Sequence, residues 1–278
     1  MSSLATWGFA EGDAITAELT AVRRLGGGSG YEAYLAFDEV TYGPVVVKVV
    51  RPDQVADEHS LRGLAREVDA LATVNHPVVV RGLRHELGGP RPHVVLEQLD
   101  GPRLSSLVRR YGPLQEQQYL PLAVEIASAL HFLRRIGWAH LDIKPSNVIM
   151  GAPARLIDLS VARPVDDAAD TRRIGTDAYM SPEQWDPDRY GVPSPASDVW
   201  GLGATLFEAV AGYRALDLPT EEPAALPDRV PAEVAKTIAA CLEVRPDDRP
   251  TPREVAEALE PVLDRQPPVR LGGALRTR

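Results

Sequence analysis

The stretch AHLDIKPSNVIM, residues 139–150, places His140, Asp142, Lys144 and Asn147 within one short span. It follows a helical stretch, LPLAVEIASALHFLRRIG, and precedes a short apolar run, so it reads as a loop at the end of packed elements. An acid, a cation and a metal-capable amide therefore share one tight loop. Asp158 comes next, closing the run ARLID. An Asp and an Asn facing one gap offer hard oxygen donors of the kind Mg²⁺ prefers. Asp142 with Lys144 beside it offers a carboxylate to position a hydroxyl and a cation to offset phosphate charge.

Lysine is rare in this chain. Of 30 Lys and Arg residues, only Lys48, Lys144 and Lys236 are lysine. The planar fork of Arg does not replace a compact ammonium at a phosphate. Lys48 and Lys144 therefore stand out, whereas Lys236 sits in an ordinary helical pattern.

N-terminal to the loop, the pattern is one of strands. ITAELTAVRRL runs into GGGSG, then YEAYLAFDE, a turn at Tyr42-Gly43-Pro44, and VVVKVV. Alternation and β-branched residues broken by Gly and Pro predict an antiparallel meander. In DEHSLRGLAREVDALATV, Leu61, Leu64, Val68, Leu71 and Val74 fall on one helical face. HPVVVRGLRHEL and HVVLEQL predict two more strands. After Gly101-Pro102 the pattern turns mostly helical, with VIMGAPARLIDLSVAR as a hairpin-like pair. VWGLGATLFEAVAGY, 199–213, is the most apolar window, but Glu208 interrupts it and it is shorter than the ~20 residues a bilayer span needs, so it predicts a buried core helix.

Strands first and helices after predict an α+β chain in two unequal parts. The expected organisation is an N-terminal segment 1–14, a small part 15–100, a larger part 101–266, and a Pro/Gly-rich tail or linker 267–278. The 278 residues suffice for such a core. The formal net charge of −9 argues against a nucleic-acid or anionic-membrane partner. Cys241 is the single cysteine, which excludes a disulfide framework and fits a cytoplasmic setting. The N-terminus carries no signal-peptide pattern. The six histidines show no metal-ligand spacing, so no zinc is expected.

Taken in order, these segments resemble the eukaryotic-like serine/threonine protein kinase family, over about residues 15 to 265. LGGGSGYEAYLA is similar to the glycine-rich loop and VVVK to the strand with the ATP lysine. LAREVDALATVNHP is similar to the helix whose Glu67 pairs with that lysine, and HVVLEQLDG to the hinge. HLDIKPSN is similar to the catalytic loop, IDLS to the metal-binding segment, and GTDAYMSPEQ to the end of the activation segment. SDVWGLG and RPDDRPT complete the set. Any one of these is weak alone; GGGSG by itself reads as a flexible turn, and Asp158 by itself as a turn residue.

The resemblance implies a two-lobed fold, an ATP site and a protein substrate. It implies that Lys48 holds the α- and β-phosphates, oriented by Glu67, and that Asn147 and Asp158 bind Mg²⁺, with Mn²⁺ as an alternative ion. It implies that Asp142 orients the attacking hydroxyl and that Lys144 stabilises the transferring phosphoryl group. Backbone amides of Glu97 and Leu99 would meet adenine, between Leu25, Gly26, Gly28, Ala33, Val46 and Ile149, with Leu96 as gatekeeper. Thr171 and Thr176 belong to the activation segment. His140, Glu183, Asp198 and Arg249 take structural roles, Arg249 pairing with Glu183 and Asp198 bracing the catalytic loop. DIKPSN with Gly175-Thr176 points to the Ser/Thr subclass. Dimerisation is compatible with this reading but no residue indicates it.

Three positions depart from the family pattern. Tyr31 stands where the third loop glycine is usual, so the loop tip must differ or use Gly30. Ser160 follows Asp158-Leu159 where glycine is usual, which restricts switching of that segment. Leu141 replaces the arginine that usually receives a regulatory phosphate, so activity is not expected to require activation-segment phosphorylation. The same departures raise an alternative, a pseudokinase that binds nucleotide or partners without transfer. A kinase of small molecules is disfavoured by the peptide-shaped GTDAYMSPEQ segment.

Overall fold

The computed structural model describes residues 5–168, 173–218 and 222–266. Thr171 and the tail 267–278 lie outside the described residues.

Strand β1 (Leu19–Gly27), β2 (Tyr31–Asp38), β3 (Gly43–Val50), helix α1 (Glu58–Thr73), β4 (Gly82–Glu86) and β5 (His93–Glu97) make the small lobe. The strands form one five-stranded antiparallel sheet in the order β1-β2-β3-β5-β4. Period-two alternation makes it two-faced. Tyr34, Val45, Val47, Val49 and Val95 are buried on the outer face, where Trp7 and Phe9 from the N-terminal segment cover them. Ala33 pairs with Lys48 and Val46 with Leu96, so these four share the inner face.

Helix α1 packs toward that inner face. Asp57 caps it, accepting from the Ser60 N–H at 2.8 Å. Leu64, Val68 and Val74 are buried while Leu61 and Leu71 are half-buried, as a single apolar face requires. Glu67 lies on the same face and is 1% exposed.

The larger lobe contains α2 (Leu104–Tyr111), α3 (Glu116–Arg135), β6 (Trp138–Ala139), β7 (Val148–Ile149), β8 (Arg155–Leu156), β9 (Arg163–Pro164), α4 (Val165–Ala168), α5 (Pro182–Trp185), α6 (Pro187–Tyr190), α7 (Pro195–Ala211), α8 (Ala232–Cys241) and α9 (Pro252–Asp264). The expected core helix is α7, and it is buried along nearly its whole length. Ser194 caps it with Pro195 in the first turn, and Gly212 ends it at φ 87°. Gly201 lets it lie against the catalytic loop, since a Cβ there would sit 2.9 Å from Ile143 Cβ.

Two expectations need correction. Of HPVVVRGLRHEL only Gly82–Glu86 joins the sheet. Val78–Val80 instead bonds to the other lobe: Leu156 N–H donates to the Val78 carbonyl (2.6 Å) and Val80 N–H to the Leu156 carbonyl (2.9 Å). The valine run reads as a strand because its residues are β-branched, but Val79 forms only an isolated bridge, to Leu156 of β8. Helix α2 was not expected, although Leu104, Leu107 and Val108 fall at three- and four-residue spacing on one helical face.

Candidate active site

Lys48 projects from the inner face of β3 and meets both lobes. Its Nζ lies 2.6 Å from Glu67 Oε2 on α1 and 3.0 Å from Asp158 Oδ1 after β8. Burial works against the charge on Lys48, but Glu67 and Asp158 outweigh it and hold the ammonium above the usual lysine range. Asp158 shows the reverse balance: burial opposes its charge, Lys48 favours it more, and the carboxyl stays below the usual range. Burial raises Glu67, with Lys48 opposing.

The loop 140–147 builds the second half. Asp142 Oδ2 lies 2.6 Å from Lys144 Nζ, and Asp142 Oδ1 accepts from the Thr176 hydroxyl at 2.8 Å. Lys144 Nζ also donates to Thr176 Oγ1 at 2.6 Å, which closes a triangle. Asn147 Nδ2 donates to Asp142 Oδ2 (3.0 Å) and to the Asp142 carbonyl (2.9 Å). Its nitrogen is thereby committed to Asp142, so the amide oxygen remains as the donor available to a cation.

The loop is held from beneath. Asp198, on α7, accepts the backbone N–H groups of His140 (2.8 Å) and Leu141 (2.7 Å). Burial pushes the Asp198 carboxyl up to about 7, the two N–H groups opposing. His140 is fully buried, and burial lowers its ring pKa. Leu141 and Asp158 adopt φ of 63° and 68°, left-handed values that cost non-glycine residues of order 1–3 kcal/mol each. Asp158 belongs to the charged cluster and Leu141 directly precedes Asp142.

Glu183 and Arg249 meet at 2.7 and 2.8 Å, both side chains fully buried, with Ser197 adding a 2.6 Å bond to Glu183. Gln184 was not singled out from the sequence. Its Nε2 donates to the carbonyls of Leu141 and Ile174, both at 2.8 Å, and so joins the catalytic loop to the segment that carries Thr176. Only its place next to Glu183 in SPEQ signalled it.

Around the cleft, Leu96 is 8% exposed, while Ala33, Val46, Leu99 and Ile149 are half-buried and Leu25 is at the surface. One expected contact needs correction. The Glu97 N–H donates to the Arg81 carbonyl at 3.0 Å within the fold, so it is not the amide that meets a base. Gly26 needs its glycine at φ 150°. A Cβ on Gly27 would sit 2.5 Å from the Tyr31 carbonyl oxygen, so this middle glycine is required by packing. A Cβ on Gly28 would meet nothing within 4 Å among the described residues. Tyr31 keeps an ordinary strand backbone, its hydroxyl donates to the Ser60 carbonyl (2.5 Å), and its ring lies 4.9 Å from Lys48 Nζ.

The family model of the protein kinase domain matches residues 19–259. The chain belongs to the protein kinase family. Among curated relatives, this kinase domain is 34% identical over 251 residues to a probable serine/threonine-protein kinase, PkwA, of Thermomonospora curvata, covering 86% of this chain and 33% of that protein. It is 33% identical over 198 residues to the serine/threonine-protein kinase PknB of Mycobacterium leprae, covering 68% and 31%. It is 34% identical over 260 residues to the serine/threonine-protein kinase PknK of Mycobacterium tuberculosis, covering 82% and 23%. The chain thus spans about a third or less of the length of these relatives. Among the described residues no helix is long and apolar enough to cross a membrane.

Proposed function

We propose that this kinase domain transfers the γ-phosphoryl group of ATP to serine or threonine hydroxyls of a protein. The observation that carries the reading is the Asp142–Lys144–Thr176 triangle lying in the same cleft as the Lys48–Glu67–Asp158 chain. Every charged group that phosphoryl transfer uses is present and paired, which disfavours the pseudokinase alternative.

The residues fit the groups they would hold. The Asp158 carboxylate and the Asn147 amide oxygen are hard donors suited to Mg²⁺, with Mn²⁺ also compatible. A divalent ion there supplies charge neutralisation for the phosphates. Lys48, kept cationic by its two carboxylate neighbours, binds phosphate oxygens. Gly28 leaves room for close backbone approach to a phosphate. Asp142 accepts and orients the substrate hydroxyl, in the place where Thr176 now donates. Lys144 sits within reach of the same carboxylate and offsets charge on the transferring group. Catalysis here is positioning and electrostatics. The reading places the reaction in the cytoplasm, where ATP is abundant and a buried free thiol such as Cys241 stays reduced.

The test is transfer of labelled phosphate from ATP to a generic protein substrate and to the enzyme itself. Asp142→Asn is expected to lower kcat by at least ~10² with ATP binding retained. Equal turnover in wild type and Asp142→Asn overturns the reading.

A further inference from the structure

Residues 5–14 precede the family match, yet they are built into the small lobe. Trp7 and Phe9 stack at 5.8 Å, and Phe9 meets Tyr34 edge-on at 5.3 Å. Arg91 lies over both rings, at 5.2 and 5.1 Å. Trp7 Nε1 donates to the Val50 carbonyl at 2.7 Å. This strap is therefore fixed to the outer face of the sheet.

Its polar side ends on Glu32, a fully buried carboxylate of β2. Glu32 accepts from the Thr6 hydroxyl (2.5 Å), the Trp7 N–H (2.8 Å) and the Tyr34 hydroxyl (3.3 Å). Arg24 and Arg51 pair with it at 3.1 and 3.4 Å. Arg51, 3% exposed, directly follows β3 and reaches in two directions. Its Nη1 donates to the Ala5 carbonyl of the strap and its Nε to the Gly28 carbonyl, both at 2.7 Å. Its backbone N–H donates to the Gly30 carbonyl at 3.0 Å.

One guanidinium thus joins the strap to the β1–β2 turn. The turn Gly28-Ser29-Gly30 has one internal backbone bond, Gly28 N–H to the Tyr31 carbonyl at 3.0 Å, and its two glycines leave the rest of it free to move. The peptide unit is planar and trans, so fixing the Gly28 carbonyl toward Arg51 points the Ser29 N–H away from it. Fixing the Gly30 carbonyl sets the Tyr31 N–H in the same way.

We propose that Arg51 is a positioning residue that aims the Ser29 and Tyr31 backbone N–H groups at nucleotide phosphates, and that the 5–14 strap sets how firmly it does so. This rests on the nucleotide reading above. Adenosine carries no phosphate, so it separates aiming from general damage to the lobe.

The test compares ATP and adenosine affinity by calorimetry in wild type, Arg51→Lys and Thr6→Val, together with KM for ATP and kcat. Lysine keeps a charge beside Glu32 but cannot hold the Ala5 and Gly28 carbonyls at once. Thr6→Val loosens the strap without touching the turn. Arg51→Lys is expected to weaken ATP about fivefold, the worth of one hydrogen bond, with adenosine affinity and kcat unchanged. Thr6→Val is expected to follow the same pattern more weakly. ATP and adenosine weakening equally, or ATP affinity unchanged in both variants, overturns the inference. A wild type that binds neither ligand overturns the nucleotide reading first, and this inference with it.

Discussion

Arg155, in β8 of the larger lobe, forms an ion pair with Glu97, the last residue of β5. The same guanidinium donates to the Val79 carbonyl at 3.0 Å, and the same carboxylate accepts the Arg81 N–H at 2.8 Å. The end of the small-lobe sheet is thereby fastened to the other lobe beside the hinge. Both side chains are mostly shielded from solvent, at 18% and 25% exposure, so the pair is screened less than a surface bridge.

Arg155→Met is therefore expected to loosen the hinge. The predicted effect is a stability loss of about 1 kcal/mol, a fall in Tm of ~2–4 °C, and weaker adenosine binding. Calorimetry and adenosine titration check it. An unchanged affinity with an unchanged Tm would mean that the pair does not hold the hinge.

Leu141 places an apolar side chain directly before Asp142. It is 2% exposed and packs with Ala139 and Ala168, with Val161 and Ile174 at the edge of the cluster. The start of the activation segment thus leans on side-chain packing. Phosphatase treatment of the wild-type enzyme is predicted to leave kcat within about twofold. Leu141→Arg is predicted to lower both Tm and kcat, because the guanidinium would enter an apolar cluster. Dependence of activity on phosphate at Thr171 would refute the first statement.

Asp38 gives a pH signature that lies far from the cleft. Arg84 donates to it through Nη1 (2.7 Å) and Nη2 (2.5 Å), and Thr41 adds its hydroxyl at 2.7 Å. Arg84 first, then Thr41 and the backbone N–H groups of Val40 and Thr41, hold the carboxyl below the usual range against the opposing effect of burial. An Asp whose pKa is lower folded than unfolded stabilises above the unfolded value, near 3.9, and loses that contribution as pH falls. The Tm gap between wild type and Asp38→Asn is thus predicted to be widest near neutral pH, to begin shrinking near about pH 5 and to go on shrinking as pH falls toward the lowered folded value. Thermal scans across that window decide it; a gap independent of pH would contradict the assignment.

The sequence carried the fold wherever side-chain period and backbone pairing agree. YEAYLAFD and VVVKVV are rich in β-branched and aromatic residues, and both form strands whose burial alternates along most of their length. HPVVV does not behave so, because period says nothing about which neighbour takes the hydrogen bonds, and Val78–Val80 finds β8. The charged cluster was legible because its members cluster in sequence or interrupt an arginine-rich background. The Glu97 amide was misjudged because its partner, Arg81, is set by the β4–β5 register. Gln184, Arg51 and Glu32 were passed over for another reason. They bind backbone carbonyls or other buried groups contributed by distant segments, and no spacing rule marks such a residue. The strap stayed hidden likewise: Trp7 and Phe9 become meaningful only once the outer face of the sheet exists to receive them.

The seat of Asp142 on α7 has a consequence for how such a molecule is turned on and off. Asp198 pins the loop by two backbone bonds and Gly201 lets Ile143 lie directly against the helix, so the acid is mounted on the chassis. Lys48 travels with the sheet. Within the cleft the two mountings meet at the charged contact of Lys48 Nζ with Asp158 Oδ1, now 3.0 Å. Rocking of the lobes changes that separation directly, which makes it a natural dial on which to read how far the cleft is closed.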